Sequence, residues 1–464
     1  MIPDRESFHS RLVAALEASG DDKILAEALS QARAADIAES FEVLGEQERS
    51  RILFALPPHT AAEVVIMLDE AVRGDVIDDM DTESITEIVS ELTPDDAADM
   101  LGELPSEESE EILEHMPDEV ADRIEELLEY DESTAGGIMT PDVVVVPASA
   151  TVSDAVEQIR KATHEDELNE VFIVDANHKL VGTVPLRRLV TNPPATRLSD
   201  ICDSDPVTVE ASDDQETVVQ IIRKYDVMEA AVVDADGRLL GRITHDDLLD
   251  VAEEEAAEDF LRMGGTDAAE LESSSIATAA RIRLMFLLPS MLVMLLTATV
   301  LAYSELLFTD PELFTALVLF VPMIGATGGN AGIQITTVIV RGFATGELAS
   351  TKLVRALARE GRIALFMAPI CGFLSWGCVR VVFPLFMKFD GATGDIQTSS
   401  QVAMAVGVAM TLAVIVAASL GIALPFSFRR LGFDPAVASG PLVTTMNDVL
   451  CVSIYMGVAK WIAL

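Results

Sequence analysis

Five apolar stretches fill the C-terminal part of the chain, and they constrain its fold more than any other feature. They run roughly over 282–303, 312–340, 363–387, 401–427 and 440–463. Each is about twenty residues or longer, enough to cross a hydrocarbon core of ~30 Å as a helix. In lipid every backbone polar group needs an internal partner, so five transmembrane helices are expected. Charge in the connections orients them. Arg281 and Arg283 precede the first stretch. Arg341, Lys352, Arg355, Arg359 and Arg362 fill the second connection, and Arg429 and Arg430 the fourth. The first and third connections hold Glu305, Asp310, Glu312, Asp390 and Asp395, with only Lys388. Basic loops stay cytoplasmic. The segment before the first stretch is therefore expected inside the cell membrane and the C-terminus outside. Met1 to Gly20 is polar and helix-forming, so no signal peptide is expected.

Charge divides the chain as sharply as hydropathy does. Residues 1–275 carry 68 acidic and 19 basic side chains, a net −49, and the remainder carries +3. A body this anionic repels nucleic acid and suits multivalent cations. General adaptation to a salty cytoplasm is the competing explanation, and the two are compatible. Cys371, Cys378 and Cys451 lie in apolar stretches and Cys202 stands alone, so neither a disulfide nor a zinc-type site is expected.

Residues 40–130 contain a twelve-residue repeat. Leu44, Leu56, Leu68, Met80, Leu92, Leu104, Met116 and Leu128 form one series. Ile52, Val64, Val76, Ile88, Met100, Ile112 and Ile124 form a second, eight residues later in each unit. Between them lie Pro57-Pro58, Asp81-Thr82, Thr93-Pro94, Pro105-Ser106 and Pro117-Asp118, which is helix-start chemistry. Each unit is expected to be one short helix that buries its face by stacking on its neighbours, giving an all-α superhelical domain over 1–132.

From residue 133 the pattern becomes α/β and repeats twice, over 133–196 and 197–252. Strands are expected at Asp142–Val146, Val171–Val174 and Leu180–Val184, with a helix Val152–Lys161. The second copy places strands at Pro206–Val209, Ala230–Val233 and Leu239–Ile243, and helices at Glu216–Tyr225 and Asp246–Val251. Both copies contain Val-Asp-Ala, a polar turn and a Leu-x-Gly strand, and the second ends in Gly-Arg-Ile-Thr-His-Asp-Asp at 241–247. This resembles a tandem pair of CBS domains. The resemblance implies that an adenine nucleotide such as ATP binds at Thr244 and Asp247. In the first copy Pro185 and Arg188 replace them. A pair that serves only as a dimerisation or cation-sensing scaffold is the alternative.

Polar residues within the apolar stretches mark the chemistry. Asp448 lies mid-way along the last one, where a carboxylate costs roughly 2.5–3.5 kcal/mol on insertion scales and therefore faces a partner or a wet pathway. Thr444 lies four residues before it, on the same helical face. Gly325, Gly328, Gly329 and Gly332 cluster in the second stretch around Asn330, with Gln334 four residues on. Such glycines either loosen the helix around a pore or permit close helix packing. Asp434 precedes Pro435 at the entrance to the last stretch, as a helix cap or an ion contact. Two copies of the chain would bring two Asp448 carboxylates to one axis, where oxygen ligands suit a hydrated hard cation.

With these residues in view, the chain resembles the MgtE family of magnesium channels over nearly its whole length. The matching motifs are Thr-Ala-Gly-Gly-Ile-Met-Thr at 134–140, the acidic run at 246–259, Gly-Gly-Asn-Ala-Gly-x-Gln at 328–334, Asp-Pro-Ala at 434–436 and Asp448. The resemblance implies a multidomain membrane protein: an acidic helical N-domain, a CBS pair, a connecting (plug) helix region over 253–280 and a five-span domain over 281–464. It implies a homodimer in membrane lipid, with Mg2+ held by Asp448, the Thr444 carbonyl and Asn330, and Asp434 at the entrance. It further implies cytosolic Mg2+ sensing by Asp95, Asp99, Asp214, Glu216, Asp226, Asp247, Asp250, Glu255, Glu258 and Asp259. Gly440 and Ile333 stand where some members have Asn. A coupled exchanger, a carrier for Co2+ or Mn2+, and a non-conducting sensor are the alternatives. An enzyme is not expected, since no nucleophile–base pair or phosphate loop is present.

Overall fold

The computed structural model describes residues 8, 12–13, 15–16, 22–30, 32–41, 43–162, 168–272, 275–345, 348, 353–389, 396–438 and 440–463. Most of residues 1–20, and Lys352, Asp390 and Asp395, lie outside them. The chain divides into two compact units, Met1–Glu253 and Glu254–Leu464.

The first unit opens with short helices: α1 Asp22–Leu29, α2 Ala34–Phe41, α3 Glu46–Ala55, α4 Pro58–Ile66, α5 Glu70–Asp78, α6 Thr82–Val89, α7 Pro94–Gly102, α8 Ser106–Glu114 and α9 Asp118–Leu128. Proline begins α4 and α7, and the Asp81 carboxylate accepts from the Ser84 amide at 3.0 Å to cap α6. The second periodic series forms the core: Ile52, Val64, Met100 and Ile124 are fully buried, and Val76, Ile88 and Ile112 nearly so. Much of the first series packs against the edge of that core, as Leu56, Met80, Leu92, Leu104 and Leu128 do. Stacking runs mainly between alternate helices, α2 on α4 on α6 on α8, α1 on α3 on α5, and α7 on α9.

The CBS copies follow with matching topology. In the first, β1 (Val145–Pro147) pairs parallel with β2 (Glu170–Val174), which pairs antiparallel with β3 (Leu180–Pro185). In the second, β4 (Thr208–Glu210), β5 (Ala230–Val233) and β6 (Leu239–Ile243) repeat that order. The turns match atom for atom. Asp175 accepts from the amides of Asn177 and Lys179, and Asp234 from those of Asp236 and Arg238. The left-handed position in each turn is His178 in one copy and Gly237 in the other. Helices α10 (Val152–Lys161) and α11 (Leu186–Thr191) belong to the first copy, and α12 (Gln215–Tyr225) to the second. Val218, Ile222, Val232 and Ile243 of the second copy belong to the same apolar core as the helical repeats. That shared core sets the N-domain on the second copy.

The next helix, α13, runs unbroken from His245 to Gly264, and a short α14 follows at Ala269–Glu272. Among the described residues, the second unit holds five helices long and apolar enough to cross a membrane. Their elements are α15 (Ile276–Glu305), α16 (Pro311–Val318) with α17 (Val321–Ala344), α18 (Leu353–Phe389), α19 (Ile396–Leu431) and α20 (Pro441–Ala463). Helix α19 is central and packs on α17, α18 and α20, through a face of small residues that includes Ala403, Ala409, Ala413 and Ala417. The second span is interrupted, but not at its glycines. The break falls at Leu319–Phe320, just before Pro322, while the glycine cluster stays helical because its backbone bonds remain internal.

Candidate functional site

Asp448 sits one-third of the way along α20, half-buried, on a stripe with Thr444, Asn447 and Cys451. This spacing of three, four and seven residues makes one helical face. The opposing face of α17 is Gly325, Gly328, Gly329 and Gly332, at the same spacing. The two stripes interlock. A β-carbon at Gly325 would lie 3.1 Å from an Asp448 carboxylate oxygen, and one at Gly329 would lie 3.1 Å from the Thr444 methyl. At Gly328 and Gly332 it would overlap the Cys451 sulfur and the Asn447 amide. The glycines thus let α20 carry polar side chains close against α17.

The polar groups in this seam are poorly satisfied. Asn447 is fully buried, and neither its amide nitrogen nor its oxygen has a hydrogen-bond partner among the described residues. The Thr444 hydroxyl donates to the Gly440 carbonyl at 2.8 Å. No described residue forms a hydrogen bond or ion pair with the Asp448 carboxylate. Asn330 and Gln334 share an exposed face of α17, turned away from the glycine stripe. Within one chain, therefore, Thr444 adjoins Asp448 and Asn330 does not. Asp434 is set apart too. Its Oδ1 accepts from the Ala436 amide at 2.7 Å, capping a short turn before α20, and its Oδ2 accepts from Arg262 at 2.7 Å.

Arg262 was not singled out by the sequence reading, although it is the only lysine or arginine between Arg242 and Arg281. It pairs with Glu258, Asp267 and Asp434. One guanidinium cannot neutralise so many carboxylates. Burial, with Glu255, Asp434 and Asp267 against the opposing pull of Arg262, raises Glu258 to about 7. Burial and then Asp434 and Glu255 raise Asp259 to about 6.

A second acidic cluster lies in the first unit. Asp95 and Asp99, on successive turns of α7, approach Asp247 at the head of α13. Burial raises Asp95 to about 7 against the hydrogen bond from Thr93, and Asp96 and Asp247 add repulsion. Burial also raises Asp99 to about 7, with Asp95, Asp96, Glu132 and Asp247 adding to it. Asp99 keeps one side open to solvent, which screens that repulsion, so Asp95 is the firmer case. One Asp95 oxygen is buried without a hydrogen bond. Burial likewise raises Asp247 and Asp250.

Thr244 donates its hydroxyl to Asp246 and to Asp247, each at 2.5 Å, and its amide donates to Asp247 at 3.1 Å. Thr244 and Asp247 are thus adjacent, but Asp247 also faces the Asp95 cluster. Asp214 and Asp226 cap opposite ends of α12, about 18 Å apart by helix rise. Glu216 lies at the Asp214 end and accepts from Gln220 at 3.1 Å. These three acids do not form one site within the chain. Among the described residues no three His, Cys, Asp or Glu side chains form a ready-made metal site. A buried ion pair was also missed: Arg242 and Glu229, 2.9 Å apart and both 2 % exposed, inside the second CBS copy. An alternating strand pattern gives no sign that one arginine points inward.

The chain is similar to known proteins along most of its length. A family profile described as divalent cation transporter matches residues 321–458, one for the MgtE intracellular N domain matches 32–133, and one for the CBS domain matches 135–193 and 198–254. The chain is 36 % identical to the magnesium transporter MgtE of Thermus thermophilus, over 73 % of this chain and 72 % of that one. It is 33 % identical to the magnesium transporter MgtE of Enterococcus faecalis, over 73 % and 71 %. Among solved structures, the cytosolic domain of the Mg2+ channel MgtE in complex with ATP superposes with a TM-score of 0.50 at 31 % identity, covering 52 % of this chain and 99 % of that one. The soluble part of a magnesium transporter does so at 0.50 and 30 %, covering 55 % and 100 %. Profiles thus match the N-domain, the paired CBS copies and the membrane part of the chain, and the chain belongs to the MgtE family of magnesium transporters.

Proposed function

We propose that the chain is a homodimeric Mg2+ channel of the cytoplasmic membrane, closed by Mg2+ on its own acidic clusters. The observation that carries the reading is Asp448: a carboxylate in a membrane-spanning helix, seated on a glycine stripe and without an ion-pair partner among the described residues. Such a group calls for a cation. Mg2+ gives up its water reluctantly, so one carboxylate per chain holds it through its hydration shell. Two chains related by an axis supply two Asp448 carboxylates and two Thr444 carbonyls. Asn330, on the exposed face of α17, lines the approach, and Asp434 stands before it with Arg262. The basic second and fourth connections support an orientation with the first unit in the cytoplasm and the C-terminus outside.

Closure follows from the clusters. Without a cation, the carboxylates at Asp95, Asp99 and Asp247 repel one another, as do Glu258, Asp259 and Asp434 around Arg262. A divalent ion at either cluster converts repulsion into a bridge and shifts the conformational balance. Helix α13 carries acids of both clusters, Asp247 near its start and Glu258 and Asp259 towards its end. Asp214, Glu216, Asp226, Asp250 and Glu255 add negative potential or pairing surface for a second copy.

The relative solved with ATP supports a nucleotide reading at the CBS pair. Thr244 and Asp247 fit it, since hydroxyl and carboxylate are already adjacent. The first copy does not fit, because Arg188 donates to the Ile201 carbonyl at 2.6 Å instead. A nucleotide at Thr244 would compete with a cation for Asp247.

Flux of Mg2+ into liposomes carrying wild type or Asp448→Ala tests the reading. Flux driven by the Mg2+ gradient alone in wild type, and lost in the variant, supports it. Flux that requires an opposing Na+ or H+ gradient would replace the channel with an exchanger, and the same liposomes loaded with Co2+ or Mn2+ measure selectivity.

A further inference from the structure

A second buried carboxylate, in the candidate membrane helix Leu357–Val381, has no part in this mechanism. Glu360, in the second turn of α18, is only 6 % exposed. It lines a cavity of about 500 Å3 between α17, α18 and α19, with Gln334, Thr337, Ile363, Met367 and Val414. Among the described residues its one ion-pair partner is Arg359, at 3.9 Å, and that guanidinium is 72 % exposed. Arg355 and Arg362 are exposed as well. The basic residues of this segment thus face outward while the acid faces the cavity. None of the glycine-stripe residues lines it.

We infer that this cavity binds the cationic head of an amphiphile, an alkylammonium whose apolar body lies against Ile363, Met367 and Val414. The volume falls in the range of pockets that hold small organic molecules, and far exceeds one ion. A bare hard cation needs about six oxygen ligands, and the cavity offers one carboxylate, one carboxamide and one hydroxyl. An anion is repelled by Glu360. A neutral chain leaves the buried carboxylate uncompensated, which is costly. An ammonium donates N–H to the Glu360 carboxylate and to the carbonyl oxygen of Gln334, and keeps its hydrocarbon on the apolar walls. The source is either an amine-headed lipid of the bilayer or a free alkylamine.

Native mass spectrometry of the full chain in non-ionic micelles, titrated with dodecylammonium, tests the assignment. The expected result is one saturable equivalent per chain, weakened about tenfold or more by Glu360→Gln because a charge-assisted contact is lost. Dodecanoate, with the same tail and the opposite charge, should not saturate. Val338→Trp keeps Glu360 and blocks the rim of the cavity, where Val338 is 46 % exposed, and should abolish binding. Displacement of co-purified phosphatidylethanolamine by the probe identifies a lipid source, and its absence identifies a free amine. Equal binding to wild type and Glu360→Gln, equal binding of dodecanoate, or no saturable binding to wild type because a second copy covers the cavity would each overturn the assignment.

Discussion

Replacing Asp95 by Asn should weaken the pH dependence of the first unit. A carboxyl held at about 7 instead of 3.8 costs the folded, cation-free protein on the order of 4 kcal/mol once ionised. The sign follows from proton counts. Between 3.8 and about 7 the folded state binds more protons than the unfolded chain, so stability is greatest below that window and declines as pH rises through it. Above it the penalty is fully present. Urea denaturation of a fragment spanning residues 1–264 in chelator, from pH 4 to pH 8, measures this. Wild type should lose stability across the window, and Asp95→Asn should lose several kcal/mol less. Added Mg2+ should restore wild type above pH 7 by mass action and do little for the variant. Parallel pH profiles for the two proteins, or equal Mg2+ stabilisation, would refute the claim that Asp95 is a strained cation-binding group.

Other consequences concern packing. Arg242→Leu should destabilise the first unit by about 3–5 kcal/mol, because it strands the Glu229 charge. The double replacement Arg242→Leu, Glu229→Leu should recover much of that loss in the same denaturation assay. Gly332→Ala should lower the melting temperature of the full chain in micelles, at a cost of about 1–3 kcal/mol, by driving a methyl into the Asn447 amide. Asn447→Ala removes the tighter of the two overlaps, leaving only the Val443 methyl at 2.9 Å, together with a group that has no hydrogen-bond partner among the described residues, so the double variant should melt above Gly332→Ala alone. Failure of that rescue would mean that the two helices do not meet as described.

The fold was legible where a period was long or a turn distinctive. The twelve-residue repeat specified short helices because each unit carried its own start signal, such as Thr93-Pro94. It could not specify which helices stack, since a period reports a buried face and not its partner. Helix Val152–Lys161 and strands Ala230–Val233 and Leu239–Ile243 fall where their apolar patterns end. The glycine cluster was ambiguous. Glycines at intervals of three and four mark both a loosened helix and a close-packed one, and only the opposing stripe on α20 decides. Asp448 was legible because a lone carboxylate in an apolar stretch is expensive anywhere. Glu360 was not, because three arginines surround it in sequence and disguise it as interfacial charge. Arg262 was hidden by the acids around it, although its isolation among them was the signal. Asp95 and Asp247 stand far apart in sequence, and the shared core that brings them together leaves no local pattern.

The most direct test of the central claim is Mg2+ current in inside-out patches, with Mg2+ on the cytoplasmic face titrated from the micromolar to the millimolar range, in wild type and Asp448→Ala. A self-closing channel gives wild-type current that is large at low cytoplasmic Mg2+ and falls as Mg2+ rises, and none in Asp448→Ala. Current in wild type that is indifferent to cytoplasmic Mg2+, or current that survives in Asp448→Ala, would contradict it.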